Sequence, residues 1–147
     1  MHKNLIFIII LLFISYISEA SPGLPARIGG SVTVNGVILT DAISSGYVFK
    51  VTGIDGKGFS PPAEDKDGLN KKGKYIIDIP IYDPTGQPQG AKPGSIAVIH
   101  AFKDGVEMKV VKPDLGAFTV GKGGTITPVD LVILGTRTDS AKEKHKK

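Results

Sequence analysis

The chain has 147 residues, no cysteine, no tryptophan and a formal net charge of +4. Without cysteine it can form no disulfide framework, carry no lipid-modified N-terminal cysteine and use no thiol nucleophile. Lys3 and Glu19 cancel, and the segment from Thr136 onward sets Arg137, Lys142, Lys144, Lys146 and Lys147 against Asp139 and Glu143. The body of the chain is therefore close to neutral, which excludes a basic nucleic-acid surface on the fold itself.

Residues 1–20 read as a cleavable export signal. His2 and Lys3 give a positive start, Leu5 to Ile14 is an unbroken apolar run, and Ser18-Glu19-Ala20 offers small residues for signal peptidase. The run holds about ten residues, against the roughly 20 a membrane-spanning helix needs. Cleavage after Ala20 places the mature protein in the periplasm or outside the cell, with no membrane span. Residues 21–26 read as a linker, 27–135 as one domain, and 136–147 as a disordered basic tail.

Within 27–135, glycine and proline punctuate short runs of β-favouring residues, and no long stretch carries a helical apolar period. Ser31 to Val34 alternates and ends at Asn35-Gly36, a tight-turn dipeptide, before Val37-Ile38-Leu39. From Gly46 to Thr52, Tyr47, Phe49 and Val51 share a face. Asp55 to Gly58 turns the chain, and residues 60–73 read as a long polar loop. Lys74 to Tyr82 is the cleanest strand, with Tyr75, Ile77, Ile79 and Ile81 on one face; Pro80 marks its end or an edge position.

A Pro/Gly-dense loop fills 83–94. Ser95–Lys103 and Val106–Val111 form a hairpin around Asp104-Gly105, with Ile96, Val98, His100 and Phe102 on one side of its first strand. Phe118 to Val120 is short, and Thr125 to Leu134 closes the domain with Val129, Leu131 and Ile133 facing one way. The pattern predicts an all-β fold: a single antiparallel β-sandwich of about seven strands.

The opening Gly30-Ser31-Val32-Thr33-Val34-Asn35-Gly36, the middle Gly73-Lys74-Tyr75-Ile76-Ile77-Asp78-Ile79-Pro80 and the later Pro93-Gly94-Ser95-Ile96-Ala97-Val98 resemble the carboxypeptidase regulatory-like domains, which are transthyretin-like β-sandwiches. Glu64-Asp65-x-Asp67-Gly68-Leu69-Asn70, Tyr75 to Asp83 and His100-x-x-x-Asp104-Gly105 are similar to uncharacterised exported modules of Gram-negative bacteria. The resemblance implies a domain that accompanies catalytic domains and has no catalytic residues of its own.

The chemistry-bearing residues are few. His100 is the one histidine outside the signal and the tail, and a catalytic base needs both a nucleophile and an orienting partner. It reads as structural. Glu64, Asp65, Asp67 and Asn70 crowd one loop and are the candidate calcium ligands, but Ile76 stands where a bidentate ligand would close a twelve-residue calcium loop. Lys66, Lys71 and Lys72 dilute that charge, so the loop reads as a solvated turn and no cofactor is expected. Tyr82 is the candidate sugar-stacking platform. Gly121 to Gly124 joins two strands and opens no helix, so it makes no phosphate loop. The sequence thus predicts a non-enzymatic exported domain that binds a protein or an extracellular polymer, with a carbohydrate-binding module or a hydrolase accessory domain as the alternative.

Overall fold

The structure, a computed structural model, describes residues 23–135. The expected signal (1–20) and basic tail (136–147) lie outside the described residues. Eleven strands run in chain order: β1 (Ala26–Gly30), β2 (Val32–Val34), β3 (Val37–Ile38), β4 (Tyr47–Gly53), β5 (Gly58–Asp65), β6 (Tyr75–Ile79), β7 (Ile96–Lys103), β8 (Val106–Lys112), β9 (Ala117–Thr119), β10 (Ile126–Pro128) and β11 (Leu131–Leu134). The all-β sandwich expected from the sequence is what forms. One sheet is ordered β10-β1-β6; the larger is ordered β3-β2-β11-β8-β7-β4-β5, with β9 also paired to β7.

The core lies between the two sheets. Strand alternation supplies it: Tyr47, Phe49 and Val51 from β4, Tyr75, Ile77 and Ile79 from β6, and Leu131 and Ile133 from β11 are all buried. The Phe49 and Tyr75 rings meet across the sheets at a centroid distance of 5.2 Å. The Tyr75 hydroxyl donates to the Val129 carbonyl at 2.5 Å, and burial pushes this phenol above its ordinary pKa.

The finer expectations need correction at four places. The sandwich is mixed, because β1 runs parallel to β10 and β2 parallel to β11. These two stretches of chain lie side by side and change sheets together, one at Gly30-Ser31 and the other at Val129-Asp130. Val129 N–H bonds to the Gly29 carbonyl (3.0 Å) and Leu131 N–H to the Ser31 carbonyl (2.8 Å). Ser31 N–H and Oγ both donate to Asp130 Oδ1, at 2.7 and 2.6 Å, which holds that carboxyl below its usual range. The strand count exceeds seven because this sheet-switching cuts each terminal segment into two short strands and because β5 and the short β3 and β9 add to it.

The second correction concerns the stretch read as a loop over 60–73. It enters β5, which runs to Asp65 and buries Ala63 against the core. Pro61 and Pro62 are tolerated because β5 is the edge of the larger sheet. Third, the linker gives up Ala26, which is buried as the first residue of β1. Fourth, the core-facing row of β7 is Ala97, Ile99 and Ala101, so Ile96, Val98, His100 and Phe102 form its outer row. Small side chains suffice inside because Phe49 and Tyr75 already fill that space.

Candidate functional site

His100 sits mid-way along β7 on the outer face of the larger sheet, in register with Lys50 of β4. Its Nδ1 lies 2.8 Å from Glu107 Oε1 on β8, and its Nε2 lies 3.1 Å from Thr52 Oγ1 on β4. The Phe102 ring stacks on it at 6.5 Å. One imidazole therefore ties three strands together. The sequence singled out His100 but missed both partners. Glu107 was within reach of hairpin arithmetic: a two-residue turn at Asp104-Gly105 pairs Phe102 with Glu107, diagonal to His100. Thr52 carries no such signal.

Carboxylate, imidazole and hydroxyl in a row invite comparison with a nucleophilic triad. Thr52 Oγ1 lies within hydrogen-bond distance of two groups, the Gly53 carbonyl at 3.0 Å and His100 Nε2 at 3.1 Å, and its one proton can serve either. What sets the row apart from a triad is burial: Thr52 is buried in the sheet, which leaves little room for a substrate beside its hydroxyl. Beside the row lies a cleft of about 360 Å³ with Val98, Lys109 and Leu115 on its walls. Leu115 is exposed and holds a left-handed φ of 51°. Replacing His100 with Asn should lower stability by about 0.5–3 kcal/mol, because the shorter side chain gives up the contacts to Glu107 and Thr52 that join β7 to β8 and β4. Urea denaturation measures this, and an unchanged midpoint would contradict the tie.

Glu64, Asp65, Asp67 and Asn70 do come together, on the wall of a cleft of about 620 Å³ that also includes Lys74 and Ile76. Most of their oxygens serve the loop. Asp65 accepts from Asp67 N–H (3.1 Å) with one oxygen and from Ile76 N–H (3.0 Å) with the other, joining the end of β5 to β6. Asn70 Oδ1 accepts from the N–H groups of Lys72 (2.9 Å) and Lys74 (3.1 Å). Glu64 pairs with Lys66 Nζ at 2.8 Å. The Asp67 carboxylate enters none of these bonds. Among the described residues, no group of three or more histidine, aspartate or glutamate side chains is arranged to hold a metal ion.

Tyr82 lies at the surface beside the 83–94 loop. Lys92 Nζ stands 5.3 Å from its ring centroid and covers one face. Asp83 next to it accepts from Gly86 and Thr85 N–H groups, which hold its carboxyl below the usual range. The structure places Tyr82, the acidic loop and His100 at separate positions and builds no joint site from them.

No family model matches the chain, and no curated protein matches it. Among solved structures, it is similar to the dioxygenase domain of a dioxygenase–carbohydrate-binding protein fusion from the cellulolytic bacterium Streptomyces sp. SirexAA-E. The two are 15% identical, the match covers 79% of this chain and 83% of that one, and the TM-score is 0.37. A likeness this slight carries nothing about chemistry or ligand.

Proposed function

We propose that this chain is an exported, non-catalytic β-sandwich domain that binds a protein or an extracellular polymer through the outer face of its larger sheet. One observation carries this reading. A sandwich sheet ordinarily turns polar side chains to solvent. Here Ile38, Ile96, Phe102, Val132 and Leu134 stand on the solvent side, and Leu115 projects beside them. Ile38, Ile96, Leu115 and Leu134 are largely exposed. Apolar side chains exposed on one sheet face, here set among Thr33, Glu107, Lys109 and Lys112, offer a partner both apolar and charged contacts.

The face fits this role better than the sheet edges do. β3 spans Val37–Ile38 alone, β10 ends at Pro128, and β5 carries Pro61 and Pro62, so each gives little backbone for strand addition; on the fourth edge, β6, the Ile76 N–H is already spent on Asp65. Export rests on the features of residues 1–20, and the resemblance to regulatory-like domains supports a partner-binding role. The burial of Thr52 supports the absence of catalysis. Turnover of an ester, peptide or glycoside that His100→Asn eliminates would overturn that part.

The test uses the exposed positions, where substitution leaves the core alone. Ile38→Lys with Leu134→Lys should keep the wild-type melting temperature and lose the partner that tagged wild-type protein captures from the exported fraction. Undiminished capture would contradict the reading. Calcium is expected to play no part. A site with a dissociation constant near 1 mM would stabilise the fold by about 1.4 kcal/mol at 10 mM calcium, a visible rise in melting temperature. We expect no rise; one that Asp65→Asn with Asp67→Asn abolishes would assign the 64–70 loop to calcium.

A further inference from the structure

A second surface, at the β4–β5 turn, has features that the fold alone does not require. The ladder between β4 and β5 jumps from Val51↔Ala63 to Thr52↔Gly58, so Phe59, Ser60, Pro61 and Pro62 bulge out of it. Bulges of this kind re-aim side chains and cluster at functional sites. The bulge puts Phe59 into a cleft of about 480 Å³ walled by Asp55, Lys57, Gly58, Pro88 and Gln89. Its ring is partly buried against the core, which fixes its position.

Gly58, on the same wall, opens the bulge and is a glycine that neither crowding nor a left-handed φ requires. A Cβ on Gly29 or Gly53 would press against neighbouring atoms, and one on Gly30 or Gly90 would collide with backbone. A Cβ on Gly58 would meet nothing within 4 Å, and its φ is not left-handed. A glycine in a strand marks a bulge or a place where a ligand or another backbone approaches closely, and Gly58 stands at both the bulge and the cleft.

We infer that this cleft is a saccharide-binding site, in which a sugar ring lies on Phe59 and passes over Gly58 while Asp55, Lys57 and Gln89 bond its hydroxyls. The inference rests on the reading of the protein as an exported binding domain and gives it a second surface. A sugar presents an apolar ring face bordered by hydroxyls that both donate and accept. The cleft matches this with one aromatic ring, a carboxylate acceptor, an ammonium donor and a carboxamide that does both. Asp55 accepts the Lys57 N–H at 3.1 Å and pairs with Lys57 Nζ at 3.5 Å, and both side chains stay exposed with lone pairs and N–H bonds left for a ligand. A peptide strand would need a row of free backbone groups. Pro61 and Pro62 have no N–H, and Ser60 N–H is spent on the Gln89 carbonyl at 3.4 Å.

Native affinity electrophoresis of the full exported protein tests this, with hydroxyethylcellulose, xylan, galactomannan and peptide-free peptidoglycan strands as separate probes. At least one probe should retard the wild type. Gly58→Val, whose Cβ meets no atom within 4 Å, should keep or raise the melting temperature and weaken retardation by about tenfold or more, as should Gln89→Ala. Ile126→Thr, an exposed position on the smaller sheet, should be retarded like wild type. Retardation by none of the probes overturns the inference, as does retardation that Gly58→Val and Gln89→Ala leave intact. Shifts of the Phe59 and Gln89 resonances by mixed casein peptides, without any by the polysaccharides, would assign the cleft to peptide and overturn the saccharide. Partner capture that depends on Ile38 and Leu134 would survive any of these failures, so the two surfaces stand or fall separately.

Discussion

Ile77→Asp should unfold the domain. Ile77 is fully buried in the middle of β6, in register with Ile28 of β1 and flanked on its face by Tyr75 and Ile79. The two rows that meet there, one from each sheet, leave no polar partner for a carboxylate. Burying one unpaired costs several kcal/mol, and the lost isoleucine contacts add to that. Total stability of a domain this size is about 5–15 kcal/mol. The neighbouring Ile76→Thr is the control, because Ile76 points to solvent from the same strand and should change stability by no more than about 0.5 kcal/mol. Far-UV circular dichroism with urea titration separates the two. A cooperative transition at the wild-type midpoint for Ile77→Asp would refute the packing of β6.

Gly30→Ala should be the costliest conservative change in the chain. Gly30 sits where the two parallel segments cross between sheets. A Cβ there would run into the Val129 carbonyl and lie 2.9 Å from Asp130 N. Neither can move freely: the Val129 carbonyl accepts the Tyr75 hydroxyl, and Asp130 is held by Ser31. Overpacking of this sort costs about 1–3 kcal/mol, and more where backbone must shift. Gly58→Ala is the matched comparison and should be neutral or slightly stabilising, because only backbone entropy is at stake there. Equal melting temperatures for Gly30→Ala and wild type would mean that the crossing is looser than the geometry shows.

The strands that read clearly from sequence are those whose inner face is large and apolar. Tyr47, Phe49 and Val51, then Tyr75, Ile77 and Ile79, then Leu131 and Ile133, all bury the face that alternation assigns. The turns at Asn35-Gly36 and Asp104-Gly105 adopt the left-handed φ values their residues favour. Legibility ends where the signal is weak or distant. In β7 the outer Ile96, Val98 and Phe102 are more hydrophobic than the inner Ala97 and Ala101, so periodicity alone points to the wrong side. β1 is short and ends in two glycines, and its parallel pairing with β10 joins opposite ends of the domain. No local pattern encodes such a contact. Pro61 and Pro62 disguise β5 as a loop because proline is compatible with an edge strand and with a turn alike. The histidine of the Glu107–His100–Thr52 row stands out in the sequence. Thr52 lies 48 residues away and joins it only through sheet pairing. The Phe59 cleft comes from a bulge, which interrupts the ladder and so leaves no period to read.

We propose that the larger sheet's outer face meets a partner outside the cytoplasm. Hydroxyl-radical footprinting tests it directly, comparing the protein in its exported setting with the purified chain. A binding face there requires that Ile38, Leu115 and Leu134 be labelled less in place than in isolation, while Ile76 and Ile126 on the smaller sheet, also exposed, are labelled equally in both. Equal labelling of all five, or protection confined to Ile76 and Ile126, would contradict it.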